Sequence, residues 1–270
     1  FGSLLKEHLK VEKIKFNLLS EKSFQTICKQ RLMSSNQQLA RIDYEQNFHA
    51  SKLSSILNTF TKNIAKTDLI IVSDYGKGTV SNARKLIQSA RKLKKKILID
   101  PKGKDFTKYK GANLITPNKS EFENIMGKVG SKKDLENKAK KMLKHLDLES
   151  LIVTLGSEGM YVLTNFNKKI IGNFINAYPQ EVFDVSGAGD TTISALGAAL
   201  SEDNDIFSAA EFANLAASIS VSKLGTSTVS KDEVTNLEAS KSNEKQVIVF
   251  TNVCFDIIHS GHLDLLKEAK

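Results

Sequence analysis

The chain has 270 residues, with 39 Lys and Arg against 30 Asp and Glu, a net charge of +9 and two cysteines. This length allows one large domain or two small ones with a real core. Two distant cysteines exclude a disulfide framework and favour a reducing, cytoplasmic setting. No apolar run reaches the roughly 18 residues of a membrane span, so we expect no membrane partner.

The excess charge is almost all lysine and is scattered along the chain. Proteins that recognise the bases and phosphates of nucleic acids usually do so with arginine side chains, so we predict no nucleic-acid partner. Binding of a polyanion remains an alternative, and it would show as strongly salt-dependent affinity for DNA.

Apolar periodicity predicts the elements in chain order. The first 50 residues carry only weak strand patterns, at 25–28 and 39–43. Beyond them, strands and helices alternate, which predicts an α/β domain with a mostly parallel sheet flanked by helices. The predicted helices lie at 53–60, 80–95, 119–126, 132–145, 188–200 and 205–223. The predicted strands lie at 69–72, 97–99, 113–115 and 151–153, followed by an antiparallel pair at 160–163 and 169–171.

The most informative segment is D-V-S-G-A-G-D-T-T at 184–192, followed by a helix rich in small residues. Glycine lets the backbone approach a ligand closely, and the free N–H groups at a helix start form an anion site. A carboxylate beside that site, Asp190, can take a proton from an attacking hydroxyl. A plain helix N-terminus with glycine turns and a capping Asp is the alternative.

This string resembles the C-terminal signature of the ribokinase (phosphofructokinase B) family of sugar kinases. Three other segments agree with that family in order: T-P-N-K-S-E-F at 116–122, T-L-G-S-E-G at 154–159 and A-N-L-A-A at 213–217. Three more resemble the heptose 7-phosphate kinase branch: S-N-Q-Q-L-A-R-I-D at 35–43, S-D-Y-G-K-G at 73–78 and D-P-K-G at 100–103. The resemblance covers roughly residues 20 to 230.

The resemblance implies roles for individual residues. Asp190 would activate the anomeric hydroxyl of the sugar, with Gly187, Ala188 and Gly189 as the anion hole. A hydrated Mg²⁺ near Glu121 and Asp184, without a direct protein ligand, would accompany ATP. The implied ATP-binding residues are Asn118, Lys119, Ser120, Glu121, Thr154, Gly156, Gly159 and Asn214.

Two of these assignments have alternatives in the residues themselves. Asn118 and Glu121 have the spacing of a helix capping box. Lys77 and Lys102 follow strands at the end where ligands bind in open α/β sheets, so either could meet a substrate phosphate. Both are equally well explained as solvated surface lysines.

Both ends of the chain shape the predicted domain organisation. No Gly-Gly pair occurs in the first 50 residues, although sugar kinases of this family use one to bind the sugar. We therefore expect residues 1–230 to form a kinase domain whose N-terminal part is missing from the chain. The polar stretch 231–245 predicts a linker.

A second motif, F-T-N-V-C-F-D-I-I-H-S-G-H at 250–262, resembles the nucleotidylyltransferase signature G-x-F-D-x-x-H-x-G-H. It implies that His259 and His262 contact a triphosphate at a helix start. Residues 246–270 would be the first strand and helix of a Rossmann-like transferase domain. Val253 stands where the signature usually has glycine. A metal site that adds Cys254 and Asp256 to the histidines is an alternative, although the spacing is unusual for zinc.

The two motifs in this order resemble the bifunctional heptose kinase/adenylyltransferase family. That family implies ATP and Mg²⁺ as cofactors, heptose phosphate as substrate, and a homodimer. It also implies phosphorylation of heptose 7-phosphate to the 1,7-bisphosphate and synthesis of ADP-heptose for the lipopolysaccharide core. Two alternatives stay open: another carbohydrate kinase of the ribokinase family, and an inactive, truncated nucleotide-binding remnant.

Overall fold

The computed structural model describes residues 2–20, 25–34, 37–46 and 53–242. The chain divides into two compact units, Phe1–Val229 and Ser230–Lys270. Within the second unit, the described part is a helix, α8, at Lys231–Ser242. The transferase region predicted at 246–270, with the motif at 250–262, lies outside the described residues, so it stays a prediction.

The first unit contains two sheets. Strands β1 (Cys28–Ser34) and β2 (Gln37–Tyr44) form an antiparallel hairpin. The main sheet has six strands in the order β3-β4-β5-β6-β7-β8, in which β3 to β6 run parallel and β7 and β8 are antiparallel. The strands are β3 Leu69–Ser73, β4 Lys96–Asp100, β5 Leu114–Ile115, β6 Ser150–Thr154, β7 Met160–Phe166 and β8 Lys169–Ile175.

Seven helices of this unit are described. They are α1 Gly2–Val11, α2 Leu53–Asn63, α3 Ala83–Lys92, α4 Lys119–Met126, α5 Lys132–His145, α6 Ala188–Ser201 and α7 Ile206–Val221. No helix in the described ranges is long and apolar enough to cross a membrane.

The core lies on both faces of the main sheet. Successive side chains of a strand point to opposite faces, so Ile97 and Ile99 pack with α3 and α5 residues, while Leu98 packs with residues of α6 and α7. Helix α6 approaches the sheet closely because Gly197 has no side chain; a Cβ there would lie 2.7 Å from Cδ1 of Ile71. The fold is therefore the predicted mostly parallel sheet flanked by helices.

Most predicted elements are confirmed, and the exceptions cluster at the ends of the chain. Helix α1 was not predicted from the sequence, and it has no buried residue. The strand predicted at 25–28 begins only at Cys28. The polar stretch predicted as a linker carries α8 over most of its length.

Candidate active site

The carboxyl ends of the parallel strands place polar side chains along one edge of the main sheet. Asp74 follows β3, and Asp100 ends β4. Asn118 lies beyond β5 and forms one further parallel bridge with Thr154, the last residue of β6. Ligands of open α/β sheets bind at this edge, and four of the sequence motifs begin here.

Asp74 is the buried anchor of this edge, with 4% of its surface exposed. Its carboxylate accepts hydrogen bonds from the Gly76 amide (2.7 Å), the Lys108 ammonium (2.7 Å) and the Tyr109 hydroxyl (2.7 Å). Burial acts to raise the pKa of Asp74, but the bonds from Lys108, Tyr109 and Gly76 outweigh burial and lower it. Asp74 thus fixes the start of the loop that follows β3.

Asp100 has the opposite electrostatic environment. Burial, and then the negative charges of Glu121 and Asp190, raise the pKa of this carboxyl from its ordinary value of 3.8 to about 7; Lys102 offsets part of the effect. A carboxyl group whose pKa is raised to near 7 by burial and like charges is typical of functional sites. The sequence reading did not single out Asp100, although the D-P-K-G string that contains it marked the place.

Asn118 and Glu121 form the capping box that their spacing predicts. The Asn118 side chain accepts from the Glu121 amide (2.9 Å), and the Glu121 carboxylate accepts from the Asn118 amide (3.0 Å). The other Glu121 oxygen accepts from Lys102 Nζ at 2.6 Å. Both residues therefore start α4, and Glu121 also faces the carboxyl edge beside Asp100.

The Gly-rich turn leads directly into α6. Gly187 precedes the helix in a left-handed conformation, with φ of 85°, which favours glycine. The Thr191 amide donates to the Gly187 carbonyl (2.8 Å), and the Ala188 amide donates to the Val185 carbonyl (3.3 Å). Asp190 occupies the first turn of α6, and its role as a base stays a prediction.

Two groups that the sequence reading missed contact this turn. The Tyr75 hydroxyl donates to both carboxylate oxygens of Asp190, at 2.8 and 2.9 Å. Arg31, on β1, donates to the Ser186 hydroxyl at 2.8 Å. The β1–β2 hairpin therefore reaches the Gly-rich turn and brings a cation to it.

Asp184 also belongs to the turn. It accepts from the Ser186 amide at 2.8 Å, and hydrogen bonds from Ser186, with the charge of Arg31, lower the pKa of its carboxyl. Its backbone amide donates to the Val221 carbonyl at the end of α7. These contacts give Asp184 a structural role in the turn, and its role near Mg²⁺ stays a prediction.

The T-x-G-x-x-G segment forms a tight turn between β6 and β7. Gly156 and Gly159 have φ of 64° and 90°. A Cβ on Gly159 would lie 2.0 Å from the carbonyl oxygen of Ile175. On α7, the Asn214 side chain donates to the Asn176 carbonyl at 2.8 Å. The turn itself requires both glycines, whether or not a nucleotide contacts them.

The remaining predicted residues are cations or lie on the surface. Lys77 is paired with Glu45, which follows β2, and Lys119 is paired with Glu158 at 3.1 Å. Ser120 is exposed at the start of α4. The fold brings four charged residues to one place: Lys102, Glu121, Asp100 and Asp190. The two predicted histidines, His259 and His262, lie outside the described residues.

A phenol-bound aspartate after a Gly-Ala-Gly turn, at the carboxyl edge of a parallel sheet, is suited to phosphoryl transfer. The family model of the pfkB family carbohydrate kinases matches residues 1–233. The chain therefore belongs to the pfkB family of carbohydrate kinases.

Several curated relatives of the chain share one printed name. "Bifunctional protein HldE" of Shewanella piezotolerans is 40% identical over 95% of this chain and 57% of that protein. The same-named protein of Haemophilus influenzae is 38% identical over 100% and 60%, and that of Pseudomonas aeruginosa is 41% identical over 91% and 55%. The chain thus spans less than two thirds of the length of these relatives.

Solved structures show the same fold at low sequence identity. Escherichia coli phosphofructokinase-2 in complex with potassium has a TM-score of 0.75 and 17% identity, and covers 89% of this chain and 79% of its own. Arabidopsis thaliana ribokinase complexed with ribose and ATP has a TM-score of 0.60 and 18% identity, with coverages of 74% and 65%. These neighbours confirm the ribokinase-like architecture.

Proposed function

We propose that the protein transfers the γ-phosphoryl group of ATP to the anomeric hydroxyl of heptose 7-phosphate and produces the 1,7-bisphosphate. The observation that carries the proposal is the position of Asp190, in the first turn of α6 behind the Gly-Ala-Gly turn. The sugar is suggested by the relatives named HldE at about 40% identity and by the heptose-kinase-like segments at 73–78 and 100–103.

The transfer needs a base and charge stabilisation. Asp190 accepts the proton of the sugar hydroxyl while that oxygen forms a bond to the γ-phosphorus. The bond from the γ-phosphorus to the bridging oxygen of ADP breaks, and ADP leaves. The helix start at Gly187 to Gly189 faces the charge that develops on the transferring group.

The carboxylates at the sheet edge fit a hydrated magnesium ion. Glu121 and Asp100 lie close enough for Glu121 to raise the pKa of Asp100, and a cation near them would relieve that repulsion. Within the described ranges, no group of three or more His, Cys, Asp or Glu side chains is arranged to hold a metal ion. Mg²⁺ keeps several waters when it binds with ATP, so contact through water at Glu121 suffices. When bound, Mg²⁺ would neutralise charge on the phosphates of ATP.

The candidate phosphate-binding cations are already engaged. Lys102 is paired with Glu121 and Lys77 with Glu45. A substrate phosphate would therefore replace a carboxylate at either lysine. Arg31 donates to a neutral hydroxyl at Ser186, so it could turn to an anion without leaving a carboxylate unpaired.

The Asp190→Asn variant tests the proposed base. We expect kinase turnover to fall by about 10²–10⁴-fold, the usual contribution of general base catalysis. Asp203→Asn makes the same change beyond the other end of α6, where Asp203 is exposed and left-handed with φ of 62°. This control should retain activity and stability. Wild-type turnover in Asp190→Asn would contradict the assignment.

A panel of sugar phosphates tests the substrate. ADP release with heptose 7-phosphate should exceed release with hexose phosphates and with ribose. A preference for another sugar would favour a different carbohydrate kinase of the same family. If no sugar is phosphorylated and calorimetry detects no binding of Mg–ATP, the chain is an inactive remnant.

A second activity, joining a nucleotide to heptose 1-phosphate to make ADP-heptose, is proposed for the region 246–270 and what would follow it. The support is the histidine motif with His259 and His262, together with relatives whose printed name is bifunctional. Formation of ADP-heptose from ATP and heptose 1-phosphate, and loss of this activity in His259→Asn, would test the second activity. The variant Val253→Gly would test whether the valine side chain obstructs the nucleotide.

The location and assembly are also proposals. We infer a cytoplasmic enzyme from the cysteine usage and a homodimer from the family resemblance. A solved neighbour, phosphofructokinase-2, is described in a tetrameric inhibited form. Light scattering on the purified protein would give the oligomeric state.

A further inference from the structure

Tyr75 joins two segments that are 115 residues apart in sequence. It lies in the loop after β3, and its hydroxyl is 2.8 and 2.9 Å from the two carboxylate oxygens of Asp190 in α6. A phenol has one proton to donate, so the two oxygens share it. This shared bond ties the position of the carboxylate to the loop that carries Tyr75.

We propose that Tyr75 is a positioning residue that holds the Asp190 carboxylate in the orientation needed to accept the proton of the substrate hydroxyl. The inference rests on the proposed kinase function of Asp190. An ionised carboxylate offers about four lone-pair sites. The phenol therefore orients Asp190 and leaves room for a second donor, the substrate.

The loop that carries Tyr75 is held in place independently of Asp190. The Asp74 carboxylate accepts from the Gly76 amide, from Lys108 and from Tyr109, so both residues that flank Tyr75 are fixed. Tyr75 itself is 56% exposed. With more than half of its surface exposed, Tyr75 does not belong to the buried core.

The phenol remains a donor over the working pH range. Burial of the hydroxyl, and then the hydrogen bond to Asp190, raise the pKa of Tyr75 above its ordinary value of 10. Asp100 acts electrostatically on both Tyr75 and Asp190, and it interacts in turn with Glu121, Lys102 and Asp74.

Tyr75→Phe tests the proposal by removing one oxygen atom. We expect kcat to fall by about tenfold while KM for ATP stays unchanged, because orientation of the base is lost but the nucleotide site is not. A loss of kcat without a change in KM is the result that a merely structural role of Tyr75 would not give.

Tyr44→Phe is the matched control, because Tyr44 is similarly exposed at 54%. It should change neither kcat nor KM. A kcat equal to that of the wild type in Tyr75→Phe would overturn the proposal, and so would a loss confined to KM. If the wild type phosphorylates no sugar, the proposed function fails separately.

Titration of the phenols decides the contact without any need for turnover. The chain has five tyrosines, and the difference in phenolate absorbance between the wild type and Tyr75→Phe isolates the ionisation of Tyr75. That tyrosine should ionise at lower pH in Asp190→Asn than in the wild type, because the charge of Asp190 is gone. An unchanged titration would remove the contact on which the inference depends.

Discussion

Replacing Asp100 by Asn should stabilise the protein at neutral pH. Asp100 ends β4 and has a pKa raised from 3.8 to about 7, first by burial and then by the charges of Glu121 and Asp190. Asparagine keeps the shape and removes the charge. The variant therefore escapes both the desolvation of the carboxylate and its repulsion by the two neighbours.

The magnitude follows from the pKa. Each pH unit corresponds to about 1.4 kcal/mol, so a carboxyl that moves from 3.8 to about 7 lowers the free energy of unfolding by at most about 4 kcal/mol above pH 7. Between pH 4 and 7 the folded state binds more protons than the unfolded state, so this loss grows as the pH rises. Below pH 4 both states are protonated and the contribution vanishes.

Urea unfolding at several pH values, with EDTA and without nucleotide, measures the effect. Asp100→Asn should be more stable than the wild type by about 2–4 kcal/mol at pH 7.5 and about equal at pH 4. Asp203→Asn, an exposed control, should follow the wild type throughout. A difference that does not depend on pH, or a variant less stable than the wild type at pH 7.5, would refute the reasoning.

Two further predictions concern neighbouring parts of the site. Asp74→Asn should destabilise the protein by about 1.5–3 kcal/mol at pH 7, because the lowered pKa of Asp74 reports bonds to its charged form. In urea unfolding, the difference from the wild type should shrink as the pH falls below 3.8. A difference that persists at low pH would argue against this explanation. Gly159→Ala should lower stability by more than about 3 kcal/mol, since its Cβ would lie 2.0 Å from the Ile175 oxygen, whereas Gly156→Ala, with open space around it, should lose only about 1–2 kcal/mol. Equal losses in the two glycine variants would show that backbone conformation alone matters.

The sequence predicts local elements well where the chain marks their ends. Helix α4 occupies the predicted residues because Asn118 caps its start and Gly127, with φ of 80°, ends it. Helix α5 is likewise capped by Ser131. Such signals are carried by a few neighbouring residues, so they can be read without the fold.

Contacts between distant segments could not be predicted in the same way. Nothing in the spacing of the sequence relates Tyr75 to Asp190, or Arg31 to Ser186. The parallel sheet order and the hairpin bring these pairs together. The sequence indicated which segments belong to the site, whereas the partners of each side chain depend on topology.

The two carboxylates Asp74 and Asp100 show how one edge of a sheet separates structural from chemical roles. They follow adjacent parallel strands, and the Asp74 amide donates to the Asp100 carbonyl at 3.0 Å. Asp74 receives three donors and its pKa is lowered, whereas Asp100 lies near three carboxylates, Glu121, Asp190 and Asp74, and its pKa is raised. Environments that push neighbouring pKa values apart typically assign different tasks to the two groups. Asp74 therefore stabilises the loop that presents Tyr75, while the repulsion around Asp100 leaves the edge suited to a cationic partner.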